Sequence, residues 1–268
     1  MSMNPRVPEP VGPILEDYIS FVNKRLPGQI NAFYLVGSIA LDEFNEQFSD
    51  IDFVAVLNQT ATSKEFEELR NIHRAIARNH PKWEMSGSYI LPCDLGKLDD
   101  EIEPHPHYHD GVLHSNTSSD LNLVTWWELK NRGIAIVGET PHDLPFTVNW
   151  DLLLAKMREN LNSYWAGWAN QPNRILRIYS DWGIQWTVTG VLRQFYTFSE
   201  NSITTKVRAA QYALGCLPIR WHKLIQEAIN IREGKKESAY RFRVLRMLEA
   251  INFLKYIIQV CNSSHPLR

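Results

Sequence analysis

Apolar residues recur at helical spacing over 14–26, at Ile14, Leu15, Tyr18, Ile19, Val22 and Leu26, and Pro27-Gly28 closes the run. Residues 32–36 are apolar and aromatic and end at Gly37, the pattern of a buried strand entering a turn. A short link over 39–45 has room for one helical turn. Ile51–Leu57 is a second strand, 63–80 a charged helix stopped by Pro81, and 83–91 a third strand. Residues 92–118 are rich in Pro, His and Asp and read as irregular. Ser119 is expected to cap a helix over 119–132, followed by a short strand at Ile134–Val137 that stops at Gly138.

After Pro145 the pattern changes. Helical spacing runs through about 151–168, 175–199, 204–215, 219–233 and 238–262, and no strand signal is left. Two domains are therefore expected, 1–145 and 146–268: an α+β domain with a mixed sheet, then an all-α helical bundle. A chain of 268 residues is long enough for both. It is 44% hydrophobic and 22% charged, so it can bury a core without staples. The formal charge of −2 supplies no basic field and argues against a nucleic-acid partner. Cys93, Cys216 and Cys261 are far apart and odd in number, which fits reduced thiols in a cytoplasmic protein. The first twelve residues are Pro-rich without an apolar run, and no stretch approaches the roughly 20 apolar residues of a membrane span.

The chemistry concentrates in Val36-Gly37-Ser38-Ile39-Ala40 and Phe48-Ser49-Asp50-Ile51-Asp52-Phe53-Val54, with eleven residues between Ser38 and Asp50. Residues i and i+2 of a strand share a face, so Asp50 and Asp52 stand together while Ile51 and Phe53 turn to the core. Two carboxylates so placed repel each other. A divalent cation relieves this, and Mg²⁺ takes one or two protein carboxylates together with water and phosphate oxygens. Two such ions about 3.5–4 Å apart can clamp both oxygens of a phosphoryl transfer. Gly37 allows the backbone to approach a triphosphate closely, and the Ser38 hydroxyl and the amides of the turn can bind its oxygens. Either element alone is commonplace: Asp-x-Asp often marks a solvated strand end, and Gly-Ser an ordinary turn. The signal is their order on consecutive strands.

That order, G-S-x(11)-D-x-D, resembles the nucleotidyltransferase motif of the polymerase-β-like superfamily. The string GSIALDEFNEQFSDIDFVAV is most similar to the aminoglycoside (3'')(9) adenylyltransferases. Downstream, Leu192-Arg193-Gln194-Phe195-Tyr196-Thr197, Ser202-Ile203-Thr204-Thr205-Lys206 and Ala209-Ala210-Gln211-Tyr212-Ala213 resemble that family's helix, lysine-bearing loop and following helix. The resemblance implies that Lys206, with Arg193 as a neighbouring candidate, contacts the triphosphate of ATP. Without it, Lys206 is an ordinary solvated lysine. The resemblance also implies a third carboxylate on the neighbouring strand that serves as general base. Glu84 is the only acidic residue there, at the strand's start, where a surface glutamate is equally natural, and the positions after it depart from the family's pattern.

Other residues carry weaker signals. His105, His107 and His109 alternate with prolines nearby and no cysteine. They form a loop that covers a cleft or contacts substrate, or is simply exposed, in preference to a transition-metal site. Trp165, Trp168, Trp182 and Trp186 have helical spacing and are read first as core. Trp182, with Asp181, is also a candidate for binding an acceptor carrying ammonium groups.

The expected protein is a monomeric, Mg²⁺-dependent adenylyltransferase that moves AMP from ATP to a hydroxyl of a small, aminoglycoside-like acceptor, with its site in a cleft between the domains. A nucleotidyltransferase acting on protein or RNA, as in toxin–antitoxin systems, and a catalytically silent nucleotide-binding protein are the alternatives.

Overall fold

The computed structural model describes residues 4–117, 121–235 and 237–263. The chain divides into two compact units, Met1–Val148 and Asn149–Arg268.

The first unit is a six-stranded mixed sheet. Helix α1 (Gly12–Arg25) leads into β1 (Ile30–Leu35), a single turn α2 (Gly37–Ala40) and β2 (Ile51–Leu57). Helix α3 (Ser63–Asn79), β3 (Met85–Ile90), β4 (His105–His109), β5 (Val112–Thr117), α4 (Leu123–Arg132) and β6 (Ile134–Val137) follow. The strand order is β5-β4-β3-β2-β1-β6. Only β2 and β3 are parallel, joined through α3; the other neighbours are antiparallel.

One sheet face is dry. Ile51, Phe53, Ala55 and Leu57 of β2 enter a core with Ile14, Leu15, Tyr18 and Val22 of α1 and Leu69, Ile72 and Ile76 of α3. The period-2 alternation of β2 thus puts Asp52 on the opposite face, as the sequence implies. Helix α3 starts at a reciprocal cap: Thr62 Oγ accepts from Glu65 N–H, while the Glu65 carboxylate accepts from Thr62 N–H at 2.7 Å. Within the core His73 stacks on Tyr108 at 3.7 Å between ring centres, and Tyr89 Oη lies 2.6 Å from both His73 Nε2 and Tyr18 Oη. Burial pushes the His73 pKa down to about 3, so the ring is neutral.

Several boundaries differ from those expected. Residues 92–118 are not wholly irregular, because His105–His109 and Val112–Thr117 form a hairpin. Its turn is Asp110-Gly111, both at positive φ (50° and 73°), the two-residue geometry that Asp-Gly favours. Pro106, which has no N–H to give a ladder, falls where the register shifts between His105 and His107. Helix α4 is capped by Asn122, whose side chain accepts from Val124 and Thr125 N–H; Ser119, the expected cap, lies outside the described residues.

The second unit has no strand among its described residues. It comprises α5 (Trp150–Asn160), a π-helical turn Leu161–Trp165, α6 (Ala166–Asn170), α7 (Pro172–Ile178), α8 (Asp181–Glu200), α9 (Lys206–Cys216), α10 (His222–Arg232) and α11 (Arg243–Asn262). The helix expected over 175–199 is broken at Tyr179-Ser180. Ser180 Oγ caps α8 by accepting from Gly183 N–H at 3.0 Å, and a Cβ on Gly183 would lie 1.9 Å from the Arg177 carbonyl oxygen. The core gathers around α8, with Val188, Val191, Leu192 and Phe195 buried beside Trp165, Trp168, Leu224, Phe253 and Ile257.

Arg246 crosses this core 2% exposed, bonded to Glu227 at 2.8 Å and to Asp181 at 2.5 Å. Desolvation raises the Glu227 pKa, but bonds from Ser238, Arg246 and Ala239 outweigh it and hold the carboxyl below its ordinary value.

No helix among the described residues is long and apolar enough to cross a membrane.

Candidate active site

The Gly37-Ser38 turn is pressed against β2. Gly37 has φ +63°, and a Cβ there would lie 2.1 Å from Asp52 Oδ2, so no other residue fits without moving the carboxylate. Val36 N–H donates to the Asp52 carbonyl at 3.0 Å, tying the end of β1 to the same residue. Ser38 Oγ is buried and has no hydrogen-bond partner among the described residues. An unpartnered buried hydroxyl is costly, and one beside a positive-φ glycine is suited to a ligand oxygen.

The link after α2 is clamped by Arg6. Its guanidinium donates to Asp42 Oδ1 (3.1 Å), the Ala40 carbonyl (2.5 Å) and the Arg132 carbonyl at the end of α4 (3.0 Å).

Asp52 is half-buried, and Asp50, just ahead of the strand, is exposed. Asp52 pairs across the parallel ladder with Ser86. One step earlier, Ile51 N–H donates to the Glu84 carbonyl at 2.8 Å, which brings the chain at Glu84 alongside the Asp50-Ile51 step. The Glu84 carboxylate is engaged elsewhere. It accepts from Gly111 N–H at 2.7 Å, closing the β4–β5 turn.

Among the described residues no three His, Cys, Asp or Glu side chains converge as metal ligands. The histidines of β4 serve the sheet: His109 and His107 bond through Nδ1 to Ser86 Oγ (3.2 Å) and Ser88 Oγ (2.9 Å), and His105 Nδ1 donates to the Glu103 carbonyl.

Lys206 of the second unit opens α9 behind the Thr205 cap and sits with Nζ 4.5 Å from the Trp186 ring centre. Arg193 Nε donates to the Thr204 carbonyl at 3.0 Å, bracing the loop before Lys206. Trp182 is half exposed and stacks on Trp186 at 5.4 Å with an 11° interplanar angle. Asp181 already has cationic partners, Arg246 at 2.5 Å and Arg243 at 3.9 Å. Trp165 and Trp168 are core residues.

Both units are similar to known proteins. The nucleotidyltransferase domain family matches residues 15–86, and the aminoglycoside adenylyltransferase C-terminal domain family matches 180–255. Together these cover more than half of the chain. The first unit thus carries a nucleotidyltransferase domain, and the second an aminoglycoside adenylyltransferase C-terminal domain. No curated protein matches it significantly. Among solved structures, the spectinomycin adenyltransferase AAD(9) from Enterococcus faecialis, determined with ATP and spectinomycin, is similar in fold. The TM-score is 0.66 at 14% identity, over 92% of this chain and 99% of that one.

The nucleotidyltransferase motif has a neighbour that sequence reading missed. Glu128 of α4 is 6% exposed, and its Oε2 accepts from Gly37 N–H at 3.2 Å. The contact spans 91 positions, and nothing in the local pattern of 123–132 singles the residue out.

Proposed function

We propose that this chain is a nucleotidyltransferase that transfers AMP from ATP to a hydroxyl of a small polar acceptor of the aminoglycoside kind. The observation that carries this reading is the Gly37-Ser38 turn packed on Asp52, with a buried hydroxyl that has no partner among the described residues. The family match of the second unit supports the acceptor class, as do the ATP and spectinomycin bound to the similar structure.

Asp50 and Asp52 offer carboxylate oxygens alone, a donor set that suits a hard cation such as Mg²⁺. When bound there, the cation neutralises charge on the transferred phosphoryl group and on the leaving pyrophosphate. Gly37 and Ser38 give the triphosphate an amide turn and a hydroxyl. Arg193 and Lys206 are the second unit's candidates for its charge. Glu84 is the candidate base for the acceptor hydroxyl, a role that requires it to leave the Gly111 amide and come within roughly 3 Å of that proton. Asp181 and Trp182 remain the acceptor candidates of the second unit, Trp182 the stronger because Asp181 is already paired. Most of the rate enhancement on this reading comes from positioning and charge neutralisation.

The test is pyrophosphate release by the purified protein with MgATP and a panel of aminoglycosides and aminocyclitols that includes spectinomycin and streptomycin. Release stimulated by at least one member, with the nucleotide found on the acceptor by mass spectrometry, is expected. MgATP binding without transfer to any member would remove the acceptor class. No MgATP binding would remove the reading.

A further inference from the structure

We propose that Glu128 is a positioning residue of the nucleotide site: it holds the Gly37-Ser38 turn against Asp52 through the hydrogen bond it accepts from the Gly37 amide, by reach and not by charge. The proposal rests on the nucleotide-binding reading above and goes one residue beyond it.

The turn is squeezed from two sides. On one, Gly37 approaches the Asp52 carboxylate so closely that a Cβ would overlap Oδ2. On the other, Glu128 Oε2 takes the Gly37 amide at 3.2 Å from a position only 6% exposed. Close approach to a carboxylate is not self-sustaining, since Gly37 has no side chain to anchor it and its positive φ is a conformation that flexible chains leave readily. The Glu128 bond stops the turn from moving away from β2. A second clamp acts on the same pair of elements: Arg6 joins the Ala40 carbonyl at the end of α2 to the Arg132 carbonyl at the end of α4. Helix α4 thus reaches α2 at two points, and the point beside the proposed phosphate-binding residues is Glu128. A carboxylate this buried loses solvation on folding, a cost tolerated where the group has a fixed partner.

Two substitutions separate reach from charge. Glu128→Gln keeps the length and the carbonyl acceptor and loses the charge. Glu128→Asp keeps the charge and is one methylene too short for the Gly37 amide. Calorimetric titration of MgATP needs no acceptor. Glu128→Gln is expected to rescue affinity to within about threefold of the unsubstituted protein, and Glu128→Asp to weaken it roughly tenfold, at temperatures where circular dichroism shows both folded. A double-mutant cycle with Ser38→Ala adds a readout that a purely stabilising residue would not move. The loss caused by Ser38→Ala is expected to shrink in the Glu128→Asp background, because the hydroxyl is already misplaced there.

The reverse order, with Asp tolerated and Gln not, would make Glu128 a charge-bearing ligand and overturn the proposal. So would equal weakening by both, unchanged affinity in both, or strict additivity with Ser38→Ala. An unsubstituted protein that does not bind MgATP would instead overturn the nucleotide reading itself.

Discussion

The candidate residues of the two units are held differently. In the first, the candidate site is where the fold leaves something unfinished: a positive-φ glycine against a carboxylate and a buried hydroxyl with no partner among the described residues. In the second, each candidate residue already has protein contacts. Asp181 bonds Arg246, Arg193 braces the Thr204 carbonyl, and Lys206 and Trp182 lie on Trp186. Polar groups in folded proteins are ordinarily satisfied, so incompleteness is the more informative sign. By that measure Ser38 shows its chemistry openly, whereas the candidate residues of the helical unit are already engaged by the protein. Three perturbations break or sharpen this contrast.

The largest effect is expected at Glu227, 1% exposed and bonded to Arg246. Glu227→Ala leaves the buried guanidinium with the half-exposed Asp181 carboxylate and a long bond to the Tyr179 carbonyl, and should cost about 3–5 kcal/mol of stability. Urea unfolding measures it. A loss under about 1 kcal/mol would mean that the network is not structural and would free Asp181 for an acceptor role.

Lys206→Ala comes next. Charge-assisted bonds to phosphate contribute on the order of 1.5–3 kcal/mol, so MgATP affinity should fall roughly ten- to a hundredfold by calorimetry. The melting temperature of the unliganded protein should move little, since a cation–π contact at a partly exposed site contributes about 0.5–1 kcal/mol. Unchanged affinity would leave Lys206 a partner of Trp186 and nothing more.

The last effect is graded with pH, is absent near neutrality, and belongs to the first unit. His73 has a folded pKa of about 3, below the roughly 6.5 of an unfolded chain. Between those values the unfolded chain binds a proton that the folded one refuses. The stability from a neutral His73 is therefore complete above about pH 6.5 and is lost as pH falls toward 3, by about 1.4 kcal/mol per unit. Thermal melts of His73→Phe, which preserves a ring against Tyr108, should have a shallower acid slope. An unchanged slope would assign the acid sensitivity to other groups.

The same contrast explains what could be read from sequence. β2 was legible because it is a continuous apolar run, buried but for Asp52, and Asp50 and Asp52 at its head leave few chemical readings. The β4–β5 hairpin was also legible in principle. Asp110-Gly111 between alternating residues is a strong turn signal, hidden by the His-Pro run that precedes it. Glu128 was not legible, because its place at Gly37 depends on α4 packing back across 91 positions. The pairing of Asp181 was hidden for the same reason: the arginine bonded to it lies 65 positions further on. Local pattern gives an element and its faces. Whether a charge is spent within the fold or left for a ligand is decided by partners far along the chain.

The central claim is that Asp50 and Asp52 beside the Gly37-Ser38 turn form a nucleotidyl-transfer site. The most direct measurement is MgATP-dependent pyrophosphate release by the double variant Asp50→Asn, Asp52→Asn, alongside its thermal melt. Release at background, with a melting temperature equal to or above that of the parent because a repelling charge pair is gone, is the predicted result. Release at the parental rate from the folded double variant would contradict it.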